Sequence, residues 1–105
     1  MSEADSSITS FSASQLSKLI KSKKISPVEV LSSYLKVINK INPSLNAIVS
    51  IGTTTAIKSA KMAEANIMKG NWLSPTHGIP IGIKDITETK GLTTTYGSLL
   101  YKGNV

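Results

Sequence analysis

Residues 26–43 have the sequence SPVEVLSSYLKVINKINP and carry the strongest helix signals in the chain. Ser26 suits an N-cap, Pro27 suits the first helical position, and Glu29 lies at the third. The pair Asn42-Pro43 predicts the end of this helix, because the residue before a proline is disfavoured in the helical region. Apolar residues between these limits recur at three- and four-residue spacing, which predicts one buried stripe: Val30, Leu31, Tyr34, Leu35, Ile38 and Ile41.

Two further helices are predicted on either side of this one. Upstream, Ser12 and Gln15 form a capping-box pattern, and the apolar spacing after them predicts a helix to about Ser22. Downstream, a helix is predicted over about 55–69, with Gly70 at its C-terminal cap. Its inward-facing positions are predicted to be Ile57, Ala60, Ala63 or Glu64, and Ile67.

The remaining apolar segments have the composition of strands. They are NAIVSI at 46–51, the stretch 79–86, and the β-branched run at 92–96. The order helix, helix, strand, helix, strand, strand predicts an α/β fold. Most of the strand character lies in the last third of the chain, with no later helix to cover a sheet, so we expect an incomplete domain.

Residues 1–11 are polar and aperiodic, which predicts a flexible N-terminus before a folded portion at 12–105. This start lacks the pattern of a secretory signal, and no apolar run reaches membrane-spanning length. The chain contains no cysteine, which excludes disulfides and cysteine-based metal or redox sites and fits a reducing compartment. We therefore expect a soluble cytoplasmic protein without a membrane partner.

The net charge of +6 comes from 12 lysines and no arginine, against six acidic residues. A basic excess raises the possibility of a nucleic-acid partner. Arginine, the usual bidentate ligand of phosphate and guanine, is absent. The lysine concentration at Lys18, Lys21, Lys23 and Lys24 follows one short helix, which favours a solvated helix face over an anion-binding patch.

Residues 77–85, HGIPIGIKD, place a lysine at the end of an apolar run. In a strand over 79–86 the three isoleucines would face the core, while Pro80, Gly82 and Lys84 would face the other way. Two interpretations of Lys84 stay open on these residues. In the first, the aliphatic part of the Lys84 side chain lies across apolar surface while its ammonium reaches water, without a catalytic role. Alternatively, burial would disfavour the charged form, so that a neutral amine could act as a base.

The motif HGIPIGIKD resembles the opening of the amidase signature family. The resemblance continues through Lys90-Gly91 and the TTYGS segment at 94–98, and upstream through the helix and strand-like run at 25–50. It covers about residues 12–105 and depends chiefly on 77–85. The fold it implies is the N-terminal helices and first strands of that family's mixed sheet.

What the resemblance implies is hydrolysis of carboxamide C–N bonds by a Ser–cis-Ser–Lys triad, with the family's lysine at Lys84. It implies a small-molecule amide substrate, no metal and no organic cofactor, and a possible homodimer in the full-length form. The family's two serines belong to a Gly/Ser-rich segment that has no counterpart in these 105 residues. We therefore expect the chain to be inactive by itself.

Other candidate residues carry weaker signals. Ser98 is a candidate for substrate binding near Lys84, although a turn hydroxyl is the simpler role. His77, the single histidine, is expected to be structural, and Trp72 is expected to anchor packing in a loop. The S-x-x-K pattern at 33–36 lies within a predicted helix without partner motifs, so it is attributed to chance.

Two alternatives to a general amidase remain. The first is the A-type component of a glutamine-dependent amidotransferase for tRNA-dependent amidation, which would add partner proteins and a charged tRNA. The second is a non-catalytic remnant or binding fragment.

Overall fold

The computed structural model describes residues 8–85, 87–101 and 103–105. In these described ranges, the α-helices with complete bounds are α1 over Ala13–Lys21, α2 over Pro27–Leu45 and α3 over Thr53–Met68. A short 3-10 helix follows at Leu99–Tyr101, and residues 8–10 are also helical. Among the described residues, α2 and α3 pack directly against each other.

Helices α1 and α2 begin where their capping residues predict. At α1 the Gln15 amide donates to the Ser12 hydroxyl (3.2 Å), and the Ser12 amide donates to the Gln15 side-chain oxygen (2.8 Å). At α2 the Glu29 amide donates to the Ser26 hydroxyl (3.1 Å), and Pro27 occupies the first turn. Each cap satisfies a backbone donor that has no partner inside the helix.

The predicted end of α2 at Asn42-Pro43 is wrong. The helix includes Pro43 and continues to Leu45, where Asn46 adopts a left-handed conformation (φ +50°) and donates its amide to the Asn42 carbonyl (2.6 Å). Proline removes one backbone donor and disfavours helix at the preceding residue. The free-energy cost of Pro43 is limited because it lies in the last turns of the helix, which ends at the left-handed Asn46.

The predicted third helix is confirmed as α3, which begins two residues earlier than expected. The Ala56 amide donates to the Gly52 carbonyl (2.8 Å), and this bond starts the first turn before Thr55. Ala60 and Ile67 are buried as predicted, whereas Ile57 is 36% exposed. Gly70 follows the helix at a φ of +84°, a left-handed position that suits glycine.

The α/β prediction is wrong: the structure is helical, and the residues it describes form no strand and no sheet. A strand needs a second segment to accept its backbone hydrogen bonds, and these segments bond elsewhere. Ile48 exchanges both of its main-chain bonds with the Asn42 side chain, at 2.9 Å each. In 92–96, Thr95 donates its amide to the Asp85 side chain and Tyr96 to the Asp85 carbonyl.

The predicted isoleucine core face of 79–86 is also wrong. Ile79 packs against the core, but Ile81 is 84% exposed and Ile83 is 48% exposed. Residues 79–84 run without secondary structure and face a groove that no other described segment fills; Ile86 lies outside the described residues. Strand alternation buries a face only when another layer covers it.

The core is small and lies where α1, the start of α2 and the end of α3 meet. Ile20 and Val30 are fully buried at its centre. The predicted flexible N-terminus at 1–11 remains a prediction, since residues 1–7 lie outside the described chain; Ile8, at its end, is 5% exposed and belongs to the core. The buried cluster and its half-buried neighbours are Ile8, Leu16, Ile20, Val30, Ile67, Phe11, Ile25, Tyr34, Trp72 and Ile79.

Candidate functional site

Lys84 lies at the end of the extended segment 79–84, where the chain enters a turn. The turn is closed by the Thr87 amide, which donates to the Lys84 carbonyl (3.0 Å). The Lys84 side chain is exposed. The burial that would favour a neutral amine is therefore not provided by the described residues, and the role of Lys84 as a base stays a prediction.

Asp85 is the most highly bonded side chain near Lys84. One carboxylate oxygen accepts the Thr95 amide (2.7 Å), and the other accepts the Thr95 hydroxyl and, at 3.4 Å, the Gly97 amide. The Asp85 carbonyl also accepts the Tyr96 amide (2.9 Å). These bonds attach the segment 95–97 to the residue that follows the lysine. We call this set of bonds the Asp85 clamp.

The clamp also determines the ionisation of Asp85. The hydrogen bond from the Thr95 hydroxyl, followed by that from the Thr95 amide, holds the pKa of Asp85 below its usual value. Hydrogen bonds that a carboxylate accepts stabilise its charged form. Asp85 is therefore ionised at neutral pH, and the clamp is fully formed there.

The loop that carries Thr95 is held at two further points. Thr94 is 4% exposed; its amide donates to the Asn104 carbonyl (2.7 Å), and the Asn104 side chain donates back to the Thr94 carbonyl (3.0 Å). The Tyr96 hydroxyl donates to the Glu88 carboxylate (2.8 Å). The segment 94–97 is thus fixed on both sides and can act as a support for Asp85.

An open groove of about 1220 Å³ lies beside Lys84 and Asp85. Its walls come from the facing sides of α2 and α3 and from the extended segments 47–52 and 78–85. Most lining side chains are apolar, such as Leu31, Ile38 and Ala60, and the charged residues Lys84, Asp85 and Lys90 lie along one part of the groove.

The turn at 75–78 connects the groove to the core. His77 is 9% exposed, and its Nε2–H donates to the Ala63 carbonyl of α3 (2.9 Å), the structural role expected for it. Gly78 follows at a φ of +82°, and a Cβ added there would lie 2.6 Å from Pro27 Cγ. These contacts fix the start of the extended segment that leads to Lys84.

Ser98 lies away from the groove surface. Its hydroxyl accepts the Leu100 amide (3.2 Å), and its amide donates to the Thr95 carbonyl (2.9 Å), so it begins the 3-10 helix. Ser98 does not line the groove that contains Lys84. The structure thus places Ser98 as a turn hydroxyl and does not bring it to Lys84.

The remaining candidates lie apart from Lys84. In the S-x-x-K pattern, Ser33 is buried while Lys36 is exposed. Trp72 packs against the core, and the Lys21 ammonium lies 4.4 Å above its ring, a cation–π geometry. The four clustered lysines of 18–24 are all exposed, as expected for a solvated helix face.

The described ranges contain neither a metal-binding cluster nor a membrane span. No three His, Cys, Asp or Glu side chains there are grouped so that they could hold a metal ion. None of the helices in those ranges combines the length and apolar character needed to cross a bilayer.

Thr95 and Gly97 are the residues that the sequence did not identify as supports of the lysine-bearing segment. The sequence patterns named no partner for the Asp85 carboxylate. Its partner Thr95 is ten residues away along an irregular loop, and neither helical nor strand periodicity predicts a contact between two such positions. An aspartate followed by a Thr-x-Gly turn is the only local signal in the sequence.

Comparisons with known proteins support the family resemblance. The family model described as Amidase matches residues 29–105, and no solved structure matches the chain. The A component of the glutamyl-tRNA(Gln) amidotransferase of Bdellovibrio bacteriovorus is 38% identical over 98 residues, which are 93% of this chain and 20% of that protein. The corresponding component from Dehalococcoides mccartyi is 35% identical over 91 residues, covering 87% and 18%.

A relative named for a different activity is similarly close. The acylamidase of Rhodococcus erythropolis is 34% identical over 86 residues, which are 82% of this chain and 18% of that protein. The chain thus spans about a fifth of the length of the curated relatives it matches. Because the family model covers most of the 105 residues, including HGIPIGIKD, the chain belongs to the amidase family.

Proposed function

We propose that this chain supplies the lysine-bearing segment of an amidase that hydrolyses carboxamides, with Lys84 as the proton acceptor of a Ser–cis-Ser–Lys triad. The observation that carries the proposal is the family match over 29–105, which includes the motif that ends in Lys84. The groove beside Lys84 supports it, because a largely apolar surface with a few polar and charged groups suits an amide with an organic substituent.

In the proposed reaction, the Lys84 amine takes a proton from a bridging serine, which takes one from the nucleophilic serine. The nucleophile's oxygen then forms a bond to the amide carbonyl carbon. The C–N bond breaks as the proton returns along the same route to the departing nitrogen. Water then releases the acyl group from the serine. Both serines are contributed from outside residues 1–105.

Replacement of the lysine tests this role. In the complete gene product, Lys84→Ala should reduce carboxamide hydrolysis by about 10⁴-fold or more, since a triad that loses its base keeps only the residual effects of binding and polarisation. Lys61→Ala, which removes an exposed lysine of α3 that does not line the groove, is the matched control and should retain activity. Ammonia release from a simple aliphatic carboxamide provides the measurement.

Two results would contradict the proposal. One is a Lys84→Ala variant that keeps most of its activity. The other is a complete gene product that releases no ammonia from any carboxamide, which would favour the non-catalytic fragment.

A second candidate is the A-type component of a glutamine-dependent amidotransferase. It is favoured by the 38% and 35% identity to two proteins that carry this name. Under this proposal the amide is the side chain of glutamine, and the released ammonia is used by partner proteins on a charged tRNA. A gene product that releases ammonia from glutamine far faster than from an aliphatic carboxamide would favour it, and the opposite preference would favour the general amidase.

A further inference from the structure

The main chain at residues 84 and 85 is held by hydrogen bonds on both of its carbonyls. The Lys84 carbonyl accepts the Thr87 amide (3.0 Å), and the Asp85 carbonyl accepts the Tyr96 amide (2.9 Å). The Asp85 carboxylate accepts three more donors from Thr95 and Gly97. Within the described part of the chain, residues 81–83 make no such bonds, so the main-chain hydrogen bonding of this segment begins at Lys84.

The clamp also determines where the negative charge of Asp85 lies. Both carboxylate oxygens are engaged by donors from the 95–97 segment. With three donors on its two oxygens, the Asp85 carboxylate has little remaining capacity to pair with the adjacent ammonium. An ion pair with Lys84 would favour the charged lysine and would also draw its side chain away from a substrate.

We propose that Asp85 is a positioning residue, which uses its bonds to Thr95 and Gly97 to direct Lys84 into the groove and to keep its own carboxylate away from the lysine amine. This inference deepens the proposed function and depends on Lys84 being the proton acceptor. Thr95 has the same positioning role, because its hydroxyl and amide supply two of the three donors to the Asp85 carboxylate. The lowered pKa of Asp85 agrees with this arrangement, since the clamp holds the carboxylate in its charged form.

The test is a set of substitutions in the complete gene product. Asp85→Asn removes the charge and one acceptor, Thr95→Val removes the hydroxyl donor with little change in shape, and Thr95→Ser retains that donor. Thr54→Val, at an exposed position of α3, is the matched control for the valine change. Steady-state kinetics on a carboxamide gives kcat and KM separately, and thermal unfolding reports stability.

We expect Asp85→Asn and Thr95→Val to lower kcat by about 10- to 100-fold with KM nearly unchanged, because a misdirected base impairs chemistry more than binding. Thr95→Ser, which keeps the hydroxyl donor, should retain nearly the kcat of the unmodified protein, and Thr54→Val should leave kcat unchanged. A residue with a purely structural role would lower the melting temperature without this separation of kcat from KM. Hydrogen exchange of the peptide over 84–97 should become faster in both clamp variants.

The outcomes separate the two proposals. If Lys84→Ala is inactive while Asp85→Asn and Thr95→Val keep full kcat, the positioning role is wrong and the proposed function stands. If exchange over 84–97 is unchanged in both clamp variants, the clamp does not order this segment and the inference is overturned. If Lys84→Ala is fully active, the proposed function fails and the catalytic part of this inference fails with it.

Discussion

At the scale of single residues, the turn before the lysine-bearing segment depends on Gly78. Its φ of +82° is a conformation that side chains rarely adopt, and a Cβ would lie 2.6 Å from the ring of Pro27, which is itself fully buried. Neither the turn nor the proline ring can move without disturbing α2. Gly78 therefore sets how the segment 79–84 leaves the core.

Gly78→Ala is expected to lower the free energy of unfolding by about 1–3 kcal/mol, from left-handed strain and overpacking against Pro27. Gly82→Ala is the matched control in the same segment, because a Cβ there meets nothing within 4 Å. Urea denaturation of both variants provides the measurement. Equal stabilities would show that the turn does not pack against Pro27 as described.

The Asp85 clamp predicts a pH dependence with a definite sign. Because the folded-state pKa of Asp85 lies below its usual value of 3.8, the clamp contributes stability above that value and loses it as the pH falls through the folded pKa. The Thr95 and Gly97 amide NMR signals should therefore hold constant from neutral pH down to about 4 and shift only below it. A shift of these signals between pH 5 and 7 would contradict a lowered pKa.

At the scale of elements, the Asn42 side chain near the end of α2 makes the two main-chain hydrogen bonds with Ile48 that a neighbouring strand would otherwise make. The Asn42 amide group donates to the Ile48 carbonyl and accepts the Ile48 amide, both at 2.9 Å. The main chain that leaves α2 is therefore folded back on the helix. These bonds occupy both main-chain groups of Ile48, which a strand over 46–51 would need for pairing.

Asn42→Ala should lower the free energy of unfolding by about 1 kcal/mol, the low end for two exposed hydrogen bonds. It should also speed hydrogen exchange at the Ile48 amide. Asn39→Ala, at an exposed position of the same helix, is the matched control and should change stability by less than about 0.5 kcal/mol. If both variants exchange alike at Ile48, the Asn42 bonds do not form in solution.

At the scale of the whole molecule, the described apolar residues divide into a small buried cluster and a larger exposed set, part of which lines the groove. Ile20 is fully buried where α1 meets α2, whereas Ile81 is 84% exposed. The two residues have the same side chain and opposite environments. Stability should therefore depend on the helical cluster and little on the segment 79–84.

Ile20→Ala should lower the free energy of unfolding by about 2–5 kcal/mol, since it removes buried methyl groups and leaves a cavity. Ile81→Ala should change it by less than about 0.5 kcal/mol. If Ile20→Ala does not fold, Ile20→Val should still show a loss of about 0.5–1.5 kcal/mol. A larger loss for Ile81 than for Ile20 would mean that the segment 79–84 is buried in solution.

The three helices and the family could be predicted from the amino-acid sequence alone. The Ser12 and Ser26 caps and the left-handed Gly70 depend on residues within a few positions of one another, so their spacing is visible in the chain. The predicted buried stripe of α2 is confirmed only at its start, Val30 and Leu31, since Ile41 is 44% exposed. The motif HGIPIGIKD likewise identifies the amidase family because it is contiguous.

Three features required the tertiary structure: the described strand-like segments form no sheet, Lys84 is exposed, and Asp85 is held by Thr95. A β-branched composition indicates that a segment can form a strand when it pairs with another segment. No periodicity in the sequence shows whether such a pairing segment is present. The contact between Asp85 and Thr95 depends on the path of the irregular loop between them, which brings its two ends together. Helices are local, whereas strand pairing, burial and loop contacts depend on which distant segments meet.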